Sequence, residues 1–369
     1  MTSSSGEPTP SVWIVAVASL VVTAALVGGA LSVFDWDATP FVSFGSDDPT
    51  RQYAEQRLGD VVLRGELGHD GKYFFVQAND PWLLDPSNNA EILDFPVYRS
   101  QRMLYPLLAG GFGLFGPEAV VWGLLLVNVV AIAAGTLGAA RLAHSLGGSP
   151  WWGLAFPANL GFLYVITIDS GGIVAAAFAI WAVACIYENR LGLGIALLAA
   201  SALTREVMLI CAVGVAVWLW TRKQSRQALY AVAMPGLILG MWEAYLMLRL
   251  GPDEGSTESI GLPFVGLARA VPRWLDDPIT LAAGVCILAF MLMYVVRWWD
   301  TRSLLGWAFL GFVPLALMMT QKVWTLIFDF TRAVAPLMTA TILLVFVEAK
   351  RPRNSTSDAM VKAVRGGHS

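Results

Sequence analysis

The sequence predicts an all-α, polytopic membrane helix bundle of about ten spans. Three observations carry that class. Of the 369 residues, 56% are hydrophobic and 14% charged, against roughly 25% charged in soluble domains. The mean hydropathy is +0.62. The scarce charges are also grouped, so that residues 12–33 and 119–140 carry none. Stretches of about 20 such residues cross the roughly 30 Å of hydrocarbon as helices. Thirty-five glycines and fifteen tryptophans suit this class, because small residues let helices approach and indole rings favour the headgroup layer. The composition excludes a soluble globular protein, and a net charge of -3 argues against a nucleic-acid partner.

The elements follow in chain order. No Lys or Arg precedes the first apolar run, so it lacks the basic start of a cleaved signal, and residues 12–34 are read as a retained helix. Further spans are expected over residues 118–141, 151–168, 170–187, 191–204, 206–221, 227–249, 279–297, 303–320 and 325–347. Residues 103–115 reach only about 20 Å as helix, too short for an ordinary crossing, and are placed in the interface. Basic loops set the orientation, since Lys and Arg concentrate on the cytoplasmic side. Arg222, Lys223 and Arg226 mark one such loop, Arg297 and Arg302 another, and Lys350, Arg351 and Arg353 begin the tail. Counting back places residues 1–11 and 350–369 in the cytoplasm, as an N-terminal segment and a basic tail around one transmembrane domain, residues 12–349. The long loop 35–102 and the loop 251–277 then lie outside. A crossing by residues 103–115 would invert everything upstream. The expected location is a multi-pass cell membrane, bacterial in character.

The loop 35–102 holds twelve acids against six bases and is far longer than a connection, so it is read as functional. Its rings, Tyr53, Tyr73, Phe74, Phe75, Trp82, Phe95 and Tyr98, argue against disorder. The stretch from Asp70 to Asp80 reads as a short amphipathic helix stopped before Pro81, with Asp70, Tyr73, Phe74 and Gln77 on one face. Two readings of Asp70 stand side by side: an N-cap accepting backbone N–H bonds, or a working carboxylate. Asp47 and Asp48 sit among Ser, Gly and Pro and read as a solvated turn rather than a metal pair.

Charges within or at the ends of apolar spans are costly unless paired or hydrated. These are Asp169, Arg205, Glu206, Glu243, Asp329 and Arg332, and all fall toward the outer side. Together they imply a polar cavity opening outward under the first loop. The competing reading is structural: Asp329 and Arg332 neutralise each other at i, i+3, while Arg205 and Glu206 snorkel. Cys185, Cys211 and Cys286 lie in apolar segments and His69, His144 and His368 are scattered, so neither disulfides nor a His/Cys metal site is expected. No Gly-rich loop leads into Lys-Ser/Thr, which argues against a nucleotide-driven pump. Asn354-Ser-Thr, in the expected cytoplasmic tail, is a chance glycosylation match.

The order of these features resembles the GT-C superfamily of integral-membrane glycosyltransferases. The residues that carry it are His69-Asp70-Gly71-Lys72-Tyr73-Phe74 and the segment from Tyr98 through Arg102 and Tyr105-Pro106-Leu107-Leu108, with Thr204-Arg205-Glu206 as a third element. They are similar to the Asp-Gly-x-x-Tyr and Tyr-Pro-Leu-Leu elements of bacterial members and of the GPI-anchor mannosyltransferase family, with Tyr73 one place closer to the Asp. The motif match covers residues 69–108, and beyond it only the hydrophobic layout agrees. Many relatives place an acidic pair where Asp70 is followed by Gly71, so the resemblance lends no support to a metal-assisted variant.

The resemblance implies a GT-C-like fold and an inverting sugar transfer on the extracytoplasmic face, from a polyprenyl-phosphate sugar donor to an acceptor hydroxyl on a glycan, lipid or protein. It implies Asp70 as general base, served by a somewhat raised pKa. Arg332, Arg205, Arg102 and Arg99 would bind the lipid phosphate, since guanidinium grips phosphate oxygens bidentately. Glu206 and Asp169 would line the same chamber. Tyr73, Tyr98 and Tyr105 would line the prenyl groove and stack on sugar. No cofactor is implied. A transporter or flippase also places charges inside a bundle, but it predicts related halves, and no repeat is visible. A partner protein that kept the fold without the chemistry is the third reading.

Overall fold

Ser11 opens the first helix by accepting the Trp13 N–H on its Oγ, and α1 runs Val12–Val33. The computed structural model describes residues 11–253 and 259–348. Of the expected cytoplasmic segments, residues 1–10 and the whole tail 350–369, with Lys350, Arg351, Arg353 and Asn354, lie outside the described residues. Every element within them is helical, apart from two isolated bridges, Phe44 with Leu63 and Ile260 with Met319.

The loop after α1 is folded throughout. It holds α2 (Thr39–Val42), α3 (Pro49–Leu58), α4 (Gly71–Asn79), α5 (Pro86–Ile92), α6 (Pro96–Ser100) and α7 (Leu104–Gly110), which tightens into a 3-10 turn over Gly111–Phe115. Three of these open on proline at the first helical position, where its missing N–H has no intrahelical role. The amphipathic helix expected after Asp70 is present and ends at Asn79, capped by Asp80. The expected solvated turn at Asp48 is not. Asp48 accepts the Thr50 N–H at 2.8 Å to cap α3, and its side chain, only 10% exposed, pairs with Lys72. A carboxylate and an ammonium this buried persist only because each meets the other.

The bundle continues through α8 (Pro117–Ser145), a 3-10 turn Pro150–Ala155, α9 (Leu160–Ile166), α10 (Gly172–Tyr187), α11 (Leu191–Thr204), a 3-10 turn Glu206–Met208 and α12 (Leu209–Thr221). Then come α13 (Ser225–Leu250), α14 (Val265–Trp274), α15 (Pro278–Thr301), α16 (Leu304–Leu310), α17 (Phe312–Met318), α18 (Gln321–Thr325) and α19 (Ile327–Ile342), which ends in a π turn over Leu343–Val347. Among the described residues, five helices are long and apolar enough to cross a membrane: Val12–Val33, Pro117–Ser145, Ser225–Leu250, Pro278–Thr301 and Ile327–Val347. The chain is therefore a helical membrane protein by length and composition.

Two of the expected spans are not continuous helices. Residues 151–168 break between the 3-10 turn and α9, because Pro157 lacks an N–H and Asn159 turns inward. Asn159 Oδ1 accepts the Gly161 N–H at 3.0 Å, while its Nδ2 donates to the Ala335 carbonyl at 2.7 Å. Residues 303–320 break at Gly311, where a Cβ would lie 2.2 Å from the Ile210 side chain, and Pro314 follows in the next turn.

α8 and α19 form the centre. Their apolar windows are 67% and 72% buried, against 22% to 28% for α1, α13 and α15. Apolar attraction does not bring helices together in hydrocarbon, so close packing on small residues must. Gly161 of α9 touches the Thr331 carbonyl of α19, and Gly135 of α8 faces the Phe156 ring, with no room for a Cβ at either place. Polar groups collect at two ends. One end joins the turn after α9, the end of α11, the start of α19 and the loop helices α4 and α6. The other joins Arg141 to Glu188, and Glu348 to both Tyr187 and Ser303.

Candidate active site

Asp70 occupies the position preceding α4 but does not cap it, because its carboxylate makes no hydrogen bond to the helix N-terminus. The N-cap reading is thereby corrected. The side chain turns instead to arginine: Oδ2 accepts from Arg332 Nη1 at 2.7 Å, and Oδ1 lies 3.9 Å from Arg99 Nη1. Arg332 also reaches Asp329 at 3.0 Å, so the expected i, i+3 pair exists but shares its guanidinium across the loop.

The backbone around Asp70 is fixed from several sides. His69 N–H donates to the Ser43 carbonyl at 3.0 Å, Lys72 is held by Asp48 and the Leu67 carbonyl, and Arg64 donates to the Thr167 carbonyl at 2.9 Å. Gly71 is wedged between two other segments of the chain. A Cβ there would lie 2.7 Å from both the Ile168 and Val42 carbonyl oxygens. No side chain fits, which gives a steric reason for glycine at this position.

The other guanidiniums arrive on α6 and just after it. Arg99 donates to Asp94 at 2.8 and 2.7 Å and to the Tyr73 hydroxyl at 3.2 Å, and lies 3.9 Å from the Tyr73 ring centroid. Arg102 grips Glu206 with Nε and Nη2, at 3.1 and 3.2 Å, and donates to the Tyr98 hydroxyl at 3.2 Å. Gln77 of α4 holds the Arg99 carbonyl at 2.9 Å, and Trp242 of α13 holds that of Ser100. Asp253, after α13, accepts the Val97 and Tyr98 N–H groups at 2.9 and 2.8 Å and so caps α6 from a distant loop.

Arg205 differs from its neighbours. It sits where α11 ends, within van der Waals reach of Gly172, and has no ion pair or side-chain hydrogen bond among the described residues. Burial and the adjacent Arg102 charge pull its guanidinium down to about 10. A partly buried cation beside other cations favours an incoming anion.

These contacts collect Asp70, Arg332, Arg99, Arg102, Glu206, Tyr73 and Tyr98 from the expected set, with Arg205 electrostatically coupled to Asp70, Arg102 and Arg332. Two expected members do not belong to it. Tyr105 is fully buried, its hydroxyl donating to the Leu124 carbonyl at 2.9 Å and accepting from Asn128 at 2.8 Å, so its ring is core and lines no groove. Asp169 is also fully buried, next to Ile168, whose carbonyl presses on Gly71. Its backbone is left-handed, with φ 42°, and burial pushes its carboxyl up. Glu243 of α13 makes no ion pair among the described residues. Asp94 and Asp253, which bind and position the arginine segment, had no signal in the sequence beyond being loop acids.

The expected rise in the Asp70 pKa is reversed. Burial pushes the carboxyl up, but the Arg332, Arg102 and Arg99 guanidiniums outweigh it and hold Asp70 well below the usual carboxylate range. His69 is lowered by burial and by Arg332, and its Nε2 lies 3.5 Å from the Tyr164 hydroxyl. No three His, Cys, Asp or Glu side chains gather as a metal-binding group among the described residues. No family model, no curated protein and no solved structure matches this chain.

Proposed function

We propose that the chain is a multi-pass membrane glycosyltransferase of the GT-C type. It moves a sugar from a polyprenyl-phosphate donor to an acceptor hydroxyl on a glycan, lipid or protein, with inversion, on the extracytoplasmic face of a cell membrane. The observation that carries this reading is the ionised carboxylate of Asp70 held among Arg332, Arg99 and Arg102, with Arg205 uncommitted beside them. Arg332, Arg99 and Arg102 are balanced by carboxylates, so Arg205, with no ion pair among the described residues, is the cation that matches a phosphate, and the Asp70 carboxylate matches a proton acceptor.

The arrangement gives each group a task. Arg332, Arg99, Arg102 and Arg205 receive the donor phosphate, which gains negative charge as the bond from the anomeric carbon to its oxygen breaks. The acceptor oxygen forms the new bond from the opposite face, and Asp70 takes its proton. While Arg332 holds it, Asp70 is a weak base. A phosphate seated on the same guanidiniums offsets their charge, so the donor itself raises the basicity of Asp70. Tyr73 and Tyr98 stand beside the arginines as surfaces for the sugar.

The proposed topology keeps ten crossings, counting the 3-10 turn with α9, the next 3-10 turn with α12, and α16 with α17 as one crossing each, and leaves α7 in the interface. The cluster and the basic loops at Arg222 and Arg297 then fall on opposite sides. The broken segments at Asn159 and Gly311 favour a transporter, in which interrupted helices bind substrate. The breaks pack against α19 and α12 respectively and contribute no group to the arginine cluster, so transport stands second.

The test is donor turnover by purified protein. Asp70→Asn is expected to stay folded and to bind polyprenyl phosphate while transfer falls to background, and Arg332→Ala is expected to weaken donor use. Wild-type turnover in Asp70→Asn would remove the base assignment, and unchanged donor dependence in Arg332→Ala would remove the phosphate site.

A further inference from the structure

Away from the arginine cluster, α8, α10 and α11 enclose a groove of about 580 Å³, within the roughly 300–1,000 Å³ of small-ligand sites. Its walls are apolar along their length, from Leu108 and Phe112 at one end past Val130, Ala134 and Ala177. Leu126, Val130 and Leu193 on its rim are exposed, so the groove opens sideways, toward hydrocarbon if the bundle is embedded. The charged groups lining it are Arg141, Glu188 and Arg190, all at the far end of α8 and α10. Arg141 donates to Glu188 at 2.9 Å, and the two neutralise each other. Arg190 is exposed and has no ion pair or side-chain hydrogen bond among the described residues. The groove is thus a long apolar slot with one net positive charge at its mouth.

We propose that this groove holds the acyl chain of an anionic phospholipid from the leaflet opposite the Asp70 cluster, with the headgroup phosphate at Arg190. Charge complementarity selects the occupant. An apolar chain alone would fit the walls, but only an anionic headgroup answers the unpaired guanidinium where headgroups lie. The chain of a donor bound at the cluster is a poorer match. Its phosphate would sit at the Gly172 end of α10, and the 16 residues to Tyr187 separate that end from Arg190 by about 24 Å. The groove shares no lining residue with the cluster. The inference therefore stands whether or not the cluster transfers sugar.

The experiment places the full-length protein in bilayer nanodiscs with a trace of phosphatidylglycerol or phosphatidylcholine carrying a diazirine on the same acyl chain, followed by irradiation and peptide mass mapping. Phosphatidylglycerol is expected to label residues 126–141 and 174–193 about fivefold more than phosphatidylcholine, as one cation near a lipid surface provides. Arg190→Glu, at an exposed position, is expected to abolish that preference, and Ala134→Phe to reduce labelling by both probes. Equal labelling by the two lipids, or a preference that survives Arg190→Glu, would overturn the proposal. Displacement of the label by polyprenyl phosphate but not by unlabelled phosphatidylglycerol would overturn it too, by giving the groove to an isoprenoid chain.

Discussion

Gly71 sets the position of Asp70 more sharply than any ion pair does, because carbonyls of two other chain segments meet at its Cα. Gly71→Ala is expected to push α4 away from the Ile168 turn at a cost of about 1–3 kcal/mol. Transfer is expected to fall about a hundredfold, as a displacement near 1 Å suffices for that, measured as donor turnover per folded molecule. Tyr105→Phe tests the opposite kind of residue. It strands the Asn128 donor at a cost of about 1–3 kcal/mol, so thermal unfolding in detergent is expected to shift while turnover per folded molecule does not. The Asp70 carboxyl is lower folded than unfolded, so its stabilisation is fully present above the unfolded value of about 3.9. That stabilisation is lost as the pH falls through the lower folded value. Acid unfolding of Asp70→Asn is expected to lack this contribution, and an unchanged acid limb would contradict the ion pair. Asp70 and Arg332 were legible because one opens an aromatic helix and the other interrupts an apolar run. The core position of Tyr105 is not legible, because a ring beside Pro106 looks the same in sequence whether it faces a groove or the core.

Helices and their interruptions follow a similar division. Long apolar runs such as α1 and α8 are legible within a few residues, since twenty or more uncharged positions admit little else. The break before α9 is not legible from Pro157 and Asn159 alone, because only the approach of α19 gives the Asn159 amide its carbonyl. Asn159→Ala removes the cap of α9 and the bond to Ala335 together, and is expected to cost about 1–3 kcal/mol, read as a lower midpoint in thermal unfolding. The small helices of the long loop are not legible for another reason. Their order comes from distant partners, as when Asp253 caps α6 across 155 residues. Asp253→Ala is expected to cost about 0.5–2 kcal/mol and to loosen the segment bearing Arg99 and Arg102. That would appear as weaker donor binding, and unchanged binding would show that α6 holds itself.

The bundle as assembled carries its ionisable groups at two opposite ends. One end gathers Asp70, Arg332, Arg99 and Arg102 beneath a folded loop, and the other gathers Arg141, Glu188 and Glu348. This separation is what an embedded helix bundle requires, because charges midway would face hydrocarbon. The hydrophobic layout gave the class of the protein, but the convergence of residues 70, 99, 102, 205 and 332 depends on folding the loop back over the helices. The most direct measurement is lipid-linked sugar analysis, with leaflet assignment, in cells lacking this chain and in the same cells given wild-type or Asp70→Asn protein. The expected result is a polyprenyl-phosphate sugar accumulating on the outer leaflet with a truncated glycan, corrected by the wild-type protein and not by Asp70→Asn. Lipid stranded on the inner leaflet, or full correction by Asp70→Asn, would contradict it.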